Sequence, residues 1–285
     1  MNRLISANFS RLFRSGIFRL YMVFSGVLSL IFITMRHIDY INHKEMYDKL
    51  DKYLHSIDAV AFTGIFFLIF AVPIFTGSFV GREYSDGTIR NKLITGHKRS
   101  SVYLANLIVC TVGTLTGMLL NILISFTIGA AVCGSELALK EILKKTLLYM
   151  AAFTAMTAVM VMISMTVKSK SGASVTTLIL TFIMFFVTMS FKDMLDEPEY
   201  YENMISYAPE TQQIEEMPKE KNPDYLTGTK RKVYQTIYDA IPVSHMYELS
   251  MNSTENAGKK AGYDGIILVV TTALGIILFR RKDLK

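Results

Sequence analysis

The chain has no tryptophan, two cysteines and six prolines in 285 residues. Both cysteines, Cys110 and Cys133, fall in one apolar run. On a shared helix they would stand about 35 Å apart, far beyond the ~7 Å limit for a disulfide, so both read as small apolar residues in lipid or protein. No GxxxxGK[ST] occurs; Gly96-His97-Lys98 resembles its end, but no glycine stands five residues upstream. That excludes a P-loop for nucleotide phosphates. No HExxH occurs either, and His37, His43, His55, His97 and His245 show no metal-ligand spacing, so each reads as a plain loop residue. The four middle apolar blocks hold no Asp, Glu, Lys, Arg or His inside the hydrocarbon region, with Asp58 and Asp264 placed at the ends of their runs, near water. Proton- and ion-driven carriers usually bury ionisable groups near the midplane. A cleavable signal peptide is not expected either, because no small-residue cleavage site follows the first apolar run, which reads as a retained span.

What is present is apolar and gathered into blocks. Hydrophobic residues make up 51% of the chain, concentrated at 17–35, 57–80, 101–133, 146–167, 172–191 and 261–279. Each block reaches the roughly 20 residues that cross ~30 Å of hydrocarbon. The expected fold is therefore an all-α polytopic membrane protein with six transmembrane helices. Pro73 should kink the second. The third block is longer than one crossing and should tilt or project; its Gly113, Gly117, Asn106 and Asn121 suit close helix packing. The fourth, rich in Ala and Met, reads as core or lipid contact rather than an adaptable substrate lining.

Charge sets the expected topology. Residues 1–19, 81–100, the Lys168–Lys170 turn and the tail RRKDLK together carry 15 basic and 3 acidic residues; the alternate segments carry 15 basic and 19 acidic. By the positive-inside rule both termini lie in the cytoplasm. This accounts for a pI near 9.1 without any nucleic-acid partner.

Residues 1–16 are amphipathic. Leu4, Ile5, Phe9, Leu12 and Phe13 share one half of the helical wheel, opposite Arg3, Ser6, Ser10, Arg11 and Arg14. The pattern fits a helix lying in the interface with its basic face on anionic headgroups; a frayed basic tail is the alternative. Residues 192–260 form the one large extramembrane piece, expected outside the cell, with five of the six prolines and seven tyrosines. That composition favours a small folded cap. Within it, "TGTKRKVYQTIYDAIP" reads as one helix ended by Pro242, "NPDYLTG" as a turn, and Asn252-Ser-Thr as a formal glycosylation acceptor.

The connection "GREYSDGTIRNKLITGHKR" at 81–99 is the least expected feature. Ser85 or Asp86 can cap a helix and Gly96 can close it. Ile89 and Leu93 share a face beside Ile94, flanked by Arg90 and Lys92. A short wedge with an apolar ridge suits a groove on another protein; a helix resting on lipid headgroups is the alternative, disfavoured by Glu83 and Asp86.

The stretch "GREYSDGTIRNKLITGHKRSSVYLANLI" resembles the connection between the second and third helices of type-2 ABC transporter permeases, the membrane subunits of bacterial ABC exporters. The shared elements are the acidic-aromatic pair Glu83-Tyr84, then Gly-Thr-Ile-Arg, then a basic residue opening the third helix; "LFRRKDLK" is similar to the family's C-terminal ends, and "AIPVSHMYEL" is weakly similar to an outer Pro-containing motif. The resemblance implies a coupling helix at 82–96 that docks on a separate ATPase subunit through Glu83, Tyr84, Asp86, Gly87, Thr88, Ile89, Arg90, Lys92 and Leu93. It implies an N-terminal elbow helix carrying Leu4, Phe9, Leu12 and Phe13, and an extracellular cap between helices 5 and 6. The implied domains are 1–16, 17–191, 192–260 and 261–285. A second permease subunit, identical or related, is implied too. No cofactor is expected in this chain, with ATP and magnesium on the partner ATPase, and the chain itself is expected to be no enzyme. The implied setting is a bacterial plasma membrane and the implied cargo an amphipathic or apolar compound such as a peptide, antimicrobial or lipid-like molecule. A non-transporting receptor or immunity protein, or a secondary carrier, are the competing classes.

Overall fold

A backbone segment in lipid satisfies its N–H and C=O groups only as a helix or in a closed barrel, and every long apolar run of this chain is helical. The computed structural model describes residues 1–47, 56–167, 169–200, 205–208, 213–216 and 220–282. An amphipathic helix, α1 (Asn2–Arg14), leads into α2 (Gly16–Asn42). Then follow α3 (Ile57–Ser85), a short α4 (Thr88–Ile94), α5 (Arg99–Cys133), α6 (Leu139–Thr166) and α7 (Lys170–Asp196). After α7 come a hairpin, β1 (Ile205–Ala208) and β2 (Gln213–Glu216), two short helices, α8 (Gly228–Asp239) and α9 (Pro242–Ser250), and finally α10 (Ala257–Arg281). Six of these helices are long and apolar enough to cross a membrane: α2, α3, α5, α6, α7 and α10. Helix α1, α4 and the end of α10 share one end of the bundle; α8 and α9 lie towards the other, the cap end.

Small residues decide which helices touch. A methyl group at Gly117 of α5 would stand 2.2 Å from Cε1 of Tyr21 on α2, and one at Gly77 of α3 would stand 2.6 Å from Cα of Ser174 on α7. Close approach also brings side-chain donors within reach of the neighbouring backbone. On α2, Tyr21 Oη donates to Thr114 O at 3.0 Å, Ser25 Oγ to Gly117 O at 2.6 Å and Ser29 Oγ to Asn121 O at 3.1 Å. The four-residue spacing puts all three on one face of α2. Asn121 returns a bond to Ser25 O at 3.1 Å. Most Ala and Met residues of α6 are core, with Ala152, Ala155, Met156, Ala158, Met160 and Met165 all fully buried and Met150, Ala151 and Met162 half-buried.

The expected irregularities appear with adjusted positions. A 3-10 turn at Leu68–Phe70 breaks α3 one turn before Pro73, where the missing proline N–H and its ring disturb the preceding turn. The long α5 carries a π-helical bulge at Ser125–Gly129. At the cap end Pro242 does not close the preceding helix; it occupies the first turn of α9, where its missing N–H is free of cost. On α8, Val233 and Ile237 are exposed, while Tyr238 and Asp239 are buried. The sixth span starts at Ala257 rather than 261, and the fifth runs on to Asp196.

Of the expected cap, α9 is built into the bundle. α9 packs against α3, α6, α7 and α10, and Val243, His245, Met246 and Leu249 are buried. Tyr149 Oη of α6 sits between the Phe62 and Met246 carbonyls at 3.1 and 3.0 Å. His245 is therefore no loop residue: its Nδ1 pairs with Asp264 Oδ1 at 3.0 Å and its Nε2 lies 2.8 Å from Asp239 O. Asp264 and Asp58 are buried too, contrary to a watery position. Asp58 accepts from Ser135 Oγ at 2.7 Å and from the backbone N–H groups of Glu136 and Leu137 at 2.5 and 3.0 Å, which holds the turn between α5 and α6. Asn252, the formal glycosylation acceptor, offers its Oδ1 to Lys145 Nζ at 2.7 Å.

Candidate functional site, a cross-tied polar connection

The connection between α3 and α5 folds as a seven-residue helix bounded by two left-handed glycines. Gly87, not Ser85 or Asp86, stands at its N-cap with φ 65°, and Gly96 follows it with φ 87°. The Gly96 N–H bonds Leu93 O at 3.0 Å and the His97 N–H bonds Lys92 O at 3.2 Å. That pair of bonds is the Schellman closure, which a residue with a Cβ disfavours. Helix α4 is shorter than the expected 82–96 because residues 82–85 complete the last turn of α3.

Glu83, at that last turn, is fully buried. It pairs with Arg11 of α1 and with Lys92 of α4, and Asn106 Nδ2 of α5 donates to its Oε2 at 2.7 Å. Asn8 closes the ring, donating to Asn106 Oδ1 at 2.9 Å and accepting from Lys92 Nζ at 2.8 Å. The Arg11 guanidinium also lies over the Phe79 ring at 4.0 Å. One carboxylate thus ties four helices. Burial pushes the Lys92 ammonium below its ordinary value, opposed by the adjacent Glu83 charge. A buried carboxylate held by two cations and an amide is compensated; losing any partner strands a charge.

A second knot lies beside it. Tyr84 donates its hydroxyl to Met165 O, near the end of α6. Lys282, just past α10, reaches Met165 O at 3.0 Å and Val167 O at 3.4 Å, and its ammonium stands 4.0 Å from the Tyr84 ring centroid. Arg99, opening α5, donates to Phe279 O at 3.0 Å and Arg280 O at 3.1 Å. The unpaired carbonyls at the ends of α6 and α10 are thereby met by basic side chains.

The residues expected to meet a partner divide. Glu83 and Ile89 face this chain's own interior, with Ile89 only 1% exposed, and Leu93 packs half-buried on the same core. The apolar ridge is thus covered by α4 lying on its own bundle. Asp86 and Arg90 are exposed, Gly87, Thr88, Lys92 and Tyr84 half-buried. Ile94 is 73% exposed and, with Asn91, Thr95 and Lys98, completes the outward face. On α1, Leu4 and Leu12 are buried against the bundle, Phe9 is half-buried and Phe13 is 63% exposed. Arg11, assigned to the headgroup face, turns inward to Glu83 instead. Asn8, Asn106, Met165 and Lys282 join the site without any signal at the level of motif; only the i, i+4 spacing of Leu4, Asn8 and Leu12 marks one buried face.

Six apolar spans, an amphipathic helix at the N-terminus and a short helix cross-tied at the second-to-third connection define a multi-pass membrane protein with one mechanically linked polar end. Residues 4–188 match the family described as ABC-2 family transporter protein. That match covers more than half the chain, and the chain belongs to this family. It is the membrane subunit of an ABC transporter, with an ABC ATPase as the partner that the family implies. No curated protein matches the chain.

Proposed function

We propose that the chain is the permease of an ATP-driven exporter in a bacterial plasma membrane, with both termini in the cytoplasm, and that its ATPase grips the outward face of α4. The observation that carries this reading is the Glu83 cluster. A push on α4 reaches α1, α3 and α5 through one buried carboxylate, and Tyr84 relays it to α6. A surface whose displacement moves four helices together is suited to converting closure of a partner into rearrangement of a path. The excess of basic residues at this end supports its cytoplasmic placement. The contact residues on this reading are Asp86, Arg90, Asn91, Ile94 and Lys98, while Glu83, Ile89 and Leu93 support them from behind.

A second permease subunit is part of the proposal. In the most apolar windows of α2, α7 and α10 only 28%, 17% and 17% of residues are buried, against 44–61% in the other spans. Such faces are covered by lipid or by a paired subunit. The cargo is proposed to be amphipathic or apolar, such as a peptide, an antimicrobial or a lipid-like compound. An apolar groove of about 250 Å3 between α2 and α3, walled by Leu20, Phe24, Phe70 and Ile74, supports that class.

The test is purification of the tagged full-length chain from its native membranes with ATP hydrolysis read in the eluate. ATP hydrolysis is expected with the unaltered chain and should fall about thirtyfold with Arg90→Glu plus Ile94→Asp, a loss of ~2 kcal/mol at a contact centre. Both residues are exposed, so the variant should keep its thermal stability. An eluate without ATP hydrolysis, or a double variant that retains it in full, overturns the proposal and favours a receptor or a secondary carrier.

A further inference from the structure

At the cap end, the first two turns of α6 present a surface that the reading above leaves unused. Leu139, Leu143 and Leu147 are 70%, 54% and 65% exposed and, four residues apart, form one ridge. The ridge faces a groove of about 670 Å3 whose opposite wall is Ala257 and Gly258 of α10, a size within the usual range of roughly 300–1,000 Å3 for small-molecule sites. Gly258 leaves the α10 wall bare: a Cβ added there would meet nothing within 4 Å. Gly77 and Gly117, by contrast, are packed hard against neighbouring helices.

Two lysines stand at the groove. Lys140 forms no ion pair among the described residues, and Lys144 meets Glu141 only at 3.8 Å. Lys145 turns the other way, to Asn252 and over the Phe62 ring, and Lys259 is held by Asp239 at 2.7 Å. At 1.5 Å per residue, the 28 residues of α6 span about 42 Å, more than the ~30 Å of hydrocarbon. Its lysine-bearing start therefore lies at the headgroup level, with the leucine ridge descending into the acyl region.

We infer that this groove holds an anionic phospholipid, its phosphate at Lys140 and Lys144 and an acyl chain along the Leu139–Leu143–Leu147 ridge over Gly258. Only the naming of the leaflet, the outer one, rests on the orientation proposed above. A second copy of the chain is the weaker occupant, because a two-fold contact through this face would set Lys140 and Lys144 against the same lysines of its mate.

The experiment is native mass spectrometry of the full-length protein from mixed micelles containing phosphatidylglycerol and phosphatidylcholine with identical acyl chains. The unaltered protein should retain one phosphatidylglycerol at least tenfold more tightly than phosphatidylcholine. Lys140→Gln plus Lys144→Gln should abolish the preference, and Gly258→Leu, which projects into the groove without altering charge, should release that lipid. Lys192→Gln, at a half-buried lysine of the same end that is already paired with Asp196 at 2.6 Å, should change nothing. Equal retention of both lipids overturns the inference. So does a preference that survives the double lysine variant, a loss of equal size with Lys192→Gln, or a Gly258→Leu protein that turns monomeric while keeping the lipid. None of these outcomes depends on ATP hydrolysis, so the two proposals fail separately.

Discussion

Replacing Glu83 by alanine removes the one anion that two half-buried cations share. Breaking a buried pair costs about 3–5 kcal/mol when the remaining partner is left charged. Arg11 and Lys92 keep side-chain exposures of 26% and 12%, so water relieves part of that burden and the lower end, about 3 kcal/mol, is the expected loss. Glu83→Gln preserves an acceptor for Asn106 and should cost less, about 1.5–3 kcal/mol. The deficit carries a pH signature. Burial already lowers the Lys92 pKa from its ordinary 10.5, and removing Glu83 takes away the charge that opposes this, so the folded value falls further. A folded pKa below the unfolded one means that the unfolded chain binds more protons over the window between them. Stability then rises with pH there. The Glu83→Ala deficit is largest near neutrality and shrinks towards pH 10.5. Adding Lys92→Met to Glu83→Ala should recover part of the loss, a coupling visible in a double-mutant cycle. Denaturation in mixed micelles across that pH range reads all three. A Glu83→Ala loss under about 1 kcal/mol, a flat pH profile, or strictly additive Glu83 and Lys92 effects would refute the hub.

Three further outcomes follow from particular contacts. Gly117→Ala places a methyl 2.2 Å from the Tyr21 ring carbon and should destabilise by about 1–3 kcal/mol, whereas Gly262→Ala, with open space around it, should be neutral or slightly stabilising; thermal unfolding of the pair checks the contrast. Asp58→Ala strips the backbone N–H groups of Glu136 and Leu137 of their acceptor and should cost at least about 2 kcal/mol, while Asp58→Asn, which keeps an acceptor, should lose about half as much in the same assay. Tyr84→Phe leaves Met165 O with Lys282, so stability should drop by only about 0.5–1.5 kcal/mol. If Tyr84 relays motion, ATP turnover in the reconstituted complex should become uncoupled from transport well beyond that loss; unchanged coupling would remove Tyr84 from the path.

The number and order of the spans were legible because lipid imposes one rule along the whole chain: long apolar runs must be helices. The small-residue seam was legible in kind, since Gly113 and Gly117 signal close approach, but its partner was not. Nothing in the spacing says that Tyr21, nearly a hundred residues earlier, fills the space Gly117 leaves, or that Phe75 fills the space at Gly113. The polar connection shows the limit more sharply. Periodicity places Ile89 and Leu93 on one face of α4 and cannot say which way that face turns. A ridge that could fit a groove on another protein fits equally well on the chain's own bundle, and here α4 lies on α3 and α5. The same ambiguity misplaced Arg11 and His245. A wheel sorts arginine to the polar side, yet a guanidinium at the edge of that side can reach a buried carboxylate if another helix supplies one, and a histidine outside the apolar runs need not be in water. Charge-depleted spans concealed these buried pairs because the ionisable groups sit at span ends, where composition reads them as solvated. Glu83, Asp58 and Asp264 all stand at such ends and all are buried. Each ties segments together: Glu83 the connection between α3 and α5, Asp58 the turn between α5 and α6, Asp264 the inserted α9. A carboxylate at a span boundary is close enough to headgroups for its partner cations to remain charged and deep enough for each bond to be directional. Such a site can hold one arrangement firmly and give it up when a partner pushes on the helix that carries the cation.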